Sequence, residues 1–202
     1  TLPELTEVKA TVCRVTKSDG LVVLNADDPL VVGVARRVRA RVAYFSMDPG
    51  SSPLLARHRR AGGLAWVLDR GRLVEWDGTD THDLLDVADL PVALGGLARH
   101  NVANALAAAG GARAMGATRE QVADGLRDFS PSADLSPGRL NLFRLGRRTI
   151  IVDFAHNEAG TEAIIDVAAA IAGGAAGRAA PVTAIIGTAG DRPDDTLRGI
   201  GR

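Results

Sequence analysis

Little in the composition of this 202-residue chain points to a disulfide framework, a cysteine-based metal site or a charged binding surface. The single cysteine, Cys13, excludes an internal disulfide and any metal site built from several cysteines. The formal net charge is zero, which gives no support for binding to nucleic acid or to a membrane. No apolar run approaches the ~18 residues of a membrane span, and the first residues do not have the pattern of a signal peptide. We therefore expect a cytoplasmic protein with neither nucleic acid nor a membrane as a partner.

The apolar residues that are present, 46% of the chain, occur in short runs separated by helical patterns. Leu21–Leu24 is fully apolar, which is typical of a strand buried on both faces. Asp28 and Pro29 have the residue types of a helix cap and a first helical position, and Thr118 with Gln121 fits a capping box. The patterns predict further strands at 42–46, 64–68, 72–76, 140–145, 149–152 and 182–186, with a hairpin joining 64–68 to 72–76. They predict helices at 3–15, 29–39, 100–115, 118–128 and 160–171, and the small residues of the helix 100–115 would allow it to pack closely. This alternation predicts an α/β fold with a mostly parallel sheet.

A segment rich in Ser, Pro and Asp, residues 129–137, separates the pattern into two parts. We therefore predict two folding units, 1–136 and 137–202, joined by this linker. Only three candidate strands follow the linker, so the second unit is expected to be an incomplete domain.

The DFAHN segment, residues 153–157, lies between a predicted apolar strand, which we expect to be central in its sheet, and a predicted helix. Ligands of open α/β sheets bind at the edge where such strands end. The carboxylate of Asp153 could accept hydrogen bonds from a ribose, and the imidazole of His156 could contact a phosphate. The alternative is that Asp153 and Asn157 only cap the following helix. Spacing alone does not decide between the two.

A glycine-rich loop, GTAGDR at 187–192, follows the predicted strand 182–186. Glycines allow backbone amides to approach a ligand closely. The loop is not a phosphate loop of the G-x-x-x-x-G-K-[ST] type, and no such motif occurs in the sequence. This loop is therefore a weak indication of a binding site.

Polar side chains at two further places have alternative interpretations. Asn101 and Asn104 share one face of the predicted helix, and their amides match the donor and acceptor edge of adenine. Helix capping is the alternative for both. Asn25, Asp27 and Asp28 follow the first strand, where they could hold a metal-bound nucleotide or simply form a turn.

Taken in order, five short motifs resemble those of the Mur ligase family. They are LNADDP at 24–29, HNVANALAA at 100–108, PGR at 137–139, DFAHN at 153–157 and GDR at 190–192. The residues around these motifs are most similar to the Mur-ligase-like half of cyanophycin synthetases, and the resemblance covers almost the whole chain. It implies that residues 1–136 are the later part of a Mur ligase central domain. Residues 137–202 would then be the beginning of a Rossmann-like C-terminal domain.

The resemblance implies an enzyme that uses ATP and Mg²⁺ to phosphorylate a carboxylate, whose acyl phosphate is then attacked by an amine. It implies that Asn101 and Asn104 contact adenine. It also implies that Asp153 holds the ribose and that Arg139, as a catalytic residue, approaches the phosphates. The substrates would be an amino acid and an acidic peptide or polymer.

The remaining site residues are implied by the same resemblance. His156, as a catalytic residue, and Asn157 would lie near the phosphates or the acyl acceptor. Asp191 and Arg192 would lie on the substrate side. Lys9 precedes the LNADDP motif by about the distance at which Mur ligases place a carbamylated lysine, and carbamylation would create an oxygen ligand suited to Mg²⁺. A helix-surface lysine is the alternative.

The phosphate loop of the family is absent, so we expect the 202-residue chain alone to be inactive. A ligase of UDP-MurNAc-peptides and a folylpolyglutamate-type ligase are alternatives within the enzyme class. A non-catalytic nucleotide-binding or scaffold module is an alternative outside it. A homo-oligomer is compatible with the sequence.

Overall fold

A computed structural model of the chain describes residues 1–173, 180–187, 190 and 194–201. The chain divides into two compact units. The first comprises residues 1–96 and 100–129, and the second comprises residues 97–99 and 130–202. The strands form two separate sheets, one of five strands and one of two.

The sheet of the first unit has its strands in sequence order, β1-β2-β3-β4-β5. The strands are β1 (Leu21–Asn25), β2 (Arg41–Ser46), β3 (Leu64–Asp69), β4 (Arg72–Asp77) and β5 (Asp80–Asp86). β1, β2 and β3 are parallel, whereas β3, β4 and β5 are antiparallel. The hairpin between β3 and β4 was predicted, and it turns at Arg70 and Gly71, which both have positive φ. The prediction of a mostly parallel sheet is wrong here, because strands joined by tight turns can only pair antiparallel.

The first unit contains six helices among its described residues, and several of them begin at a side-chain cap. They are α1 (Leu2–Lys9), α2 (Thr11–Val15), α3 (Pro29–Val34), α4 (Pro53–Arg60), α5 (Arg99–Ala114) and α6 (Arg119–Asp128). Short 3₁₀ turns occur at Ala35–Arg37, Pro49–Ser51, Val87–Asp89 and Pro91–Ala93. Asp28 caps α3 by accepting from the amides of Leu30 and Val31, as predicted. The predicted capping box of Thr118 and Gln121 starts α6.

Both faces of the five-stranded sheet are buried. Adjacent strand residues point to opposite faces, so Trp66 packs on one side and Val67 on the other. The first face is covered mainly by α5 through Val102 and Leu106. The second face includes Leu55 of α4. The sheet is therefore a buried central layer, which fixes where α5 lies.

Helix α5 lies unusually close to the sheet at Gly110. A Cβ atom at this position would be 2.7 Å from Cε3 of Trp66 and 2.9 Å from Cγ1 of Val23. Such distances are too short for carbon atoms, so only glycine fits without movement. The small-residue helix predicted to pack closely therefore does so.

The second unit contains a β-hairpin and two helices among its described residues. They are β6 (Asn141–Leu145), β7 (Arg148–Val152), α7 (Glu158–Gly173) and α8 (Asp194–Ile200). β6 and β7 are antiparallel, and β7 pairs with no other strand in the described part of the chain. Ile150 and Val152 are 42% and 46% exposed, so the prediction that β7 is a central strand is wrong for these residues.

The predicted strand 182–186 is also wrong. Residues 180–187 have no regular secondary structure, and Ile185 is fully exposed. An apolar run favours a strand, but a strand forms only beside a partner that accepts its backbone hydrogen bonds. No strand of the described residues is paired with this segment. Among the described helices, none is both long and apolar enough to cross a lipid bilayer.

Candidate functional site

The loop that carries the PGR motif is held by a buried asparagine at the start of β6. The Asn141 side chain is only 3% exposed. Its Oδ1 accepts a hydrogen bond from the amide of Gly138 at 2.6 Å. Its Nδ2 donates to the carbonyl oxygens of Ser136 at 3.1 Å and Arg139 at 3.4 Å. Both ends of the carboxamide are therefore occupied by the loop.

Asp153 connects the same loop to the end of β7. Its Oδ2 accepts from the amide of Leu140 at 2.8 Å, and its Oδ1 accepts from the amide of Ala155 at 2.7 Å. The amide of Phe154 donates to the carbonyl oxygen of Gly138 at 2.8 Å. The PGR and DFAHN motifs thus form one hydrogen-bonded unit. A carboxylate has about four acceptor sites, so these two bonds leave acceptor capacity for the predicted ribose.

The PGR loop carries the guanidinium of Arg139. Its side chain is exposed and takes part in no hydrogen bond or ion pair with the described residues. Arg139 lies between Gly138 and Leu140, whose backbone φ values are 70° and 50°. Arginine in such a position suits a phosphate, since its fork of N–H donors matches the phosphate oxygens.

His156 and Asn157 follow in the connection to α7. Nδ1 of His156 lies 2.9 Å from the carbonyl oxygen of Phe154. A carbonyl oxygen only accepts, so Nδ1 is the donor in this contact, which leaves Nε2 for another partner. Oδ1 of Asn157 accepts from the amide of Gly160 at 2.8 Å. Asn157 therefore has the geometry of a helix cap, the alternative that the sequence left open, and its predicted role at the nucleotide stays a prediction.

Asn101 and Asn104 lie on one face of α5, in the first unit. Nδ2 of Asn101 donates to the carbonyl oxygen of Val92 at 2.8 Å, and its Oδ1 accepts from Nδ2 of Asn104 at 3.2 Å. Asn101 is half-buried and Asn104 is exposed. Asn101 thus fixes the turn before α5, and Asn104 is the more accessible amide. Contact with adenine stays a prediction for both.

The three polar residues after β1 form a turn. Asp27 accepts from Oγ of Ser46 at 2.5 Å and from the amide of Met47 at 2.7 Å. Oδ1 of Asn25 accepts from the amide of Asp27 at 2.9 Å, and Asp28 caps α3. These contacts connect the ends of β1 and β2, so the turn is the interpretation that the geometry supports.

The described residues do not provide a carboxylate cluster for a metal. They contain no group of three or more His, Cys, Asp or Glu residues that could hold a metal ion. Lys9 is the exposed last residue of α1. Its carbamylation and its binding of Mg²⁺ stay predictions. Asp191 and Arg192 lie outside the described residues.

A buried ionic cluster supports the helix side of the first unit. Glu75 of β4 is fully buried and accepts from Nε1 of Trp66 at 3.0 Å, Nε of Arg113 at 2.8 Å and Nε of Arg119 at 2.7 Å. Arg113 belongs to α5 and Arg119 to α6, so one carboxylate connects β4 to both helices. Sequence reasoning singled out neither Glu75 nor Asn141. The sequence signal for each was only that a polar residue occurs within a predicted strand.

Comparisons with known proteins bear on the family of the chain. No protein-family model matches the sequence. Over all 202 residues the chain is 38% identical to the cyanophycin synthetase of Crocosphaera subtropica and 39% identical to that of Synechocystis sp.. It is 32% identical, over 161 residues, to the UDP-N-acetylmuramoyl-tripeptide–D-alanyl-D-alanine ligase of Mycobacterium bovis. This alignment covers 76% of the chain and 27% of that ligase. The predicted resemblance to the Mur ligase family is confirmed.

The Mur ligase fold is also found in a solved structure. The murein peptide ligase Mpl of Psychrobacter arcticus aligns with 85% of this chain and 33% of its own, with a TM-score of 0.56 and 19% sequence identity. The α/β fold of this Mur-ligase-like chain is therefore as predicted. The chain spans only 22% of the length of each of the two cyanophycin synthetases. The roles of its site residues accordingly stay predictions.

Proposed function

We propose that this chain supplies part of the ATP site of a cyanophycin-synthetase-like carbon–nitrogen ligase that works through an acyl phosphate. The observation that carries the proposal is the exposed guanidinium of Arg139 on a loop fixed by Asp153 and Asn141. The first unit would correspond to the later part of a Mur ligase central domain. The second unit would correspond to the beginning of the C-terminal domain.

The proposed reaction has two steps. An oxygen of the substrate carboxylate attacks the γ-phosphorus of ATP, ADP leaves, and an acyl phosphate forms. The amine of the second substrate then attacks the acyl carbon, and inorganic phosphate leaves as the amide bond forms and the nitrogen loses a proton. Catalysis of phosphoryl transfer depends mainly on positioning and on charge stabilisation.

Residues of the second unit fit parts of this reaction. Arg139 would neutralise charge on the phosphates by charge-assisted hydrogen bonds. Asp153 would accept from ribose hydroxyls with the acceptor sites that the two backbone amides leave unused. Nε2 of His156, whose Nδ1 is held by the carbonyl oxygen of Phe154, would accept the proton that the attacking amine loses.

The substrates are proposed from the similarity to cyanophycin synthetases. The amino acid would be arginine and its acceptor an aspartate side chain of an acidic polymer. Mg²⁺ is expected to accompany ATP, since it is commonly bound through substrate phosphates. The described residues contain no group of three or more metal-binding side chains, and no step is assigned to a protein-bound metal. A cytoplasmic location and a homo-oligomer stay predictions.

The proposal is tested with the complete gene product, expressed from its start codon to its stop codon. ADP release is measured with ATP, Mg²⁺, arginine and an aspartate-containing polymer, and we expect release to require both arginine and polymer. Arg139→Ala should weaken ATP binding about 10- to 100-fold, as expected for a charge-assisted hydrogen bond of roughly 1.5–3 kcal/mol. Arg147→Ala, at an exposed arginine in the turn between β6 and β7, is the matched control.

Two outcomes would contradict the proposal. An unchanged affinity for ATP in Arg139→Ala would remove the phosphate role of this arginine. Absence of ADP release under all conditions would favour a non-catalytic nucleotide-binding module. A UDP-MurNAc-peptide acceptor is included as a separate arm because of the 32% identity to the mycobacterial ligase. The 202-residue chain alone is expected to release no ADP, because it lacks the G-x-x-x-x-G-K-[ST] phosphate loop.

A further inference from the structure

We propose that Asn141 is a positioning residue that holds the backbone of Arg139 in place for phosphate binding. The inference rests on the proposed function, because it concerns the same phosphate-contacting arginine. It adds a residue that the sequence motifs did not indicate, since Asn141 lies two positions beyond the PGR motif. Asn141 touches no phosphate in this proposal and acts only through the loop.

The chemistry of the loop requires a carboxamide at this position. The amide of Gly138 needs an acceptor, whereas the carbonyl oxygens of Ser136 and Arg139 need donors. A carboxamide offers both, but a carboxylate offers only acceptors when it is ionised. The side chain is buried at 3% exposure, so water cannot readily replace these bonds.

The backbone on both sides of Arg139 is in the left-handed region. Gly138 has a φ of 70°, and a Cβ atom there would be 2.3 Å from Cδ2 of Phe154. Leu140 has a φ of 50°, which a residue with a side chain rarely adopts. Such a conformation persists only where the surroundings hold it.

Two side chains hold this conformation from opposite sides. Asn141 binds the amide of Gly138, before the arginine, and Asp153 binds the amide of Leu140, after it. Asn141 alone also binds the carbonyl oxygen of Arg139 itself. Loss of Asn141 should therefore let the arginine backbone relax. A misplacement of about 1 Å at a site of this kind can cost up to roughly 100-fold in activity.

The test is a double-mutant cycle in the complete gene product. The dissociation constant of ATP is measured for wild type, Asn141→Ala, Arg139→Ala and the double variant, with melting temperatures measured beside it. We expect Asn141→Ala to weaken ATP binding about tenfold, and we expect the double variant to bind no more weakly than Arg139→Ala alone. That non-additivity is the signature of a residue acting through another. Arg147→Ala is the control for an exposed arginine of the same hairpin.

Two further measurements keep the test decisive. Asn141→Asp preserves the size of the side chain but places a carboxylate against two carbonyl oxygens, so it should also weaken ATP binding. It replaces the alanine variant if that variant fails to fold. Hydrogen exchange at the amide of Gly138 should become faster in either variant, and this readout does not depend on ATP.

The outcomes separate this inference from the proposed function. If Arg139→Ala weakens ATP binding but Asn141→Ala and Asn141→Asp do not, the positioning role is wrong and the phosphate role of the arginine stands. Full additivity in the cycle would overturn the positioning role in the same way. If Arg139→Ala leaves ATP binding unchanged, the phosphate role of Arg139 is wrong, and the positioning role of Asn141 is wrong with it. The Gly138 exchange rate then shows whether the loop contacts exist without that function.

Discussion

Removal of the buried carboxylate of Glu75 should be among the most destabilising single changes in the first unit. This carboxylate is fully buried and accepts from the Trp66 indole and from two arginine side chains. Glu75→Ala would leave the indole N–H, on a residue only 1% exposed, without an acceptor. It would also leave Arg113 and Arg119 without their shared counter-ion, so both the hydrogen bonds and the charge balance are lost.

The expected loss of stability in Glu75→Ala depends on how far water can reach the two arginines once the carboxylate is removed. Removing one partner of a buried ion pair costs roughly 3–5 kcal/mol. The side chains of Arg113 and Arg119 are 27% and 34% exposed, so water can reach them in part. We therefore expect the lower end, about 3 kcal/mol, in the free energy of unfolding. At ~2–4 °C per kcal/mol for a chain of this size, the melting temperature should fall by roughly 6–12 °C.

The assay is thermal and chemical denaturation followed by tryptophan fluorescence, with Asp77→Ala as the matched control. Asp77 forms an ion pair with the same Arg119 at 2.9 Å, but its side chain is 52% exposed. An exposed pair contributes about 0–1 kcal/mol, so this control should unfold close to wild type. Glu75→Gln should lie between the two, because it keeps the shape but places an N–H₂ group among donors. A loss in Glu75→Ala no larger than in Asp77→Ala would refute the reasoning.

Two further predictions concern packing and charge. Gly110→Ala should destabilise the protein by about 1–3 kcal/mol, because its Cβ would overlap Trp66. Gly111→Ala, with nothing within 4 Å of its Cβ, should instead stabilise it by about 0.5–1 kcal/mol, and equal effects in urea denaturation would contradict the close packing of α5. The pKa of Glu7 should lie below its usual 4.5, because Arg37 and then Arg14 donate hydrogen bonds to the carboxylate. The small stabilisation from these contacts is therefore present above the pKa of Glu7 in the unfolded chain and is lost as pH falls through its pKa in the folded chain. NMR titration should show that the pKa of Glu7 rises in Arg37→Ala. An unchanged pKa would contradict the contact between Arg37 and Glu7.

The parts of the fold that were predicted depend on signals close together in sequence. Asp28 and Pro29 mark the start of α3, and the Thr118 capping box marks the start of α6, because each cap binds amides only a few residues away. β5 was not predicted, because a segment with three aspartates has little strand propensity and forms its strand by pairing with β4. The apolar segment 182–186 shows the reverse error, since its composition favours a strand but no described strand pairs with it.

The candidate site shows the same division between local and long-range information. The motifs and their resemblance to Mur ligases indicated Arg139 and Asp153, but not the hydrogen bonds that join their two segments. Asn141 contacts the PGR loop only because of the left-handed backbone around it, which no residue pattern specified. Glu75 binds arginines 38 and 44 positions away, so its cluster required the tertiary structure.

Transfer of an oxygen atom tests the proposed acyl phosphate most directly. The complete gene product is incubated with ATP, Mg²⁺, arginine and an acceptor polymer whose side-chain carboxylates carry ¹⁸O, and the released phosphate is examined by mass spectrometry. The carboxylate oxygen that attacks the γ-phosphorus leaves with the phosphate when the amine attacks the acyl carbon. We therefore expect one ¹⁸O atom in each inorganic phosphate formed with an amide bond. Unlabelled phosphate, or ¹⁸O found in AMP, would contradict it.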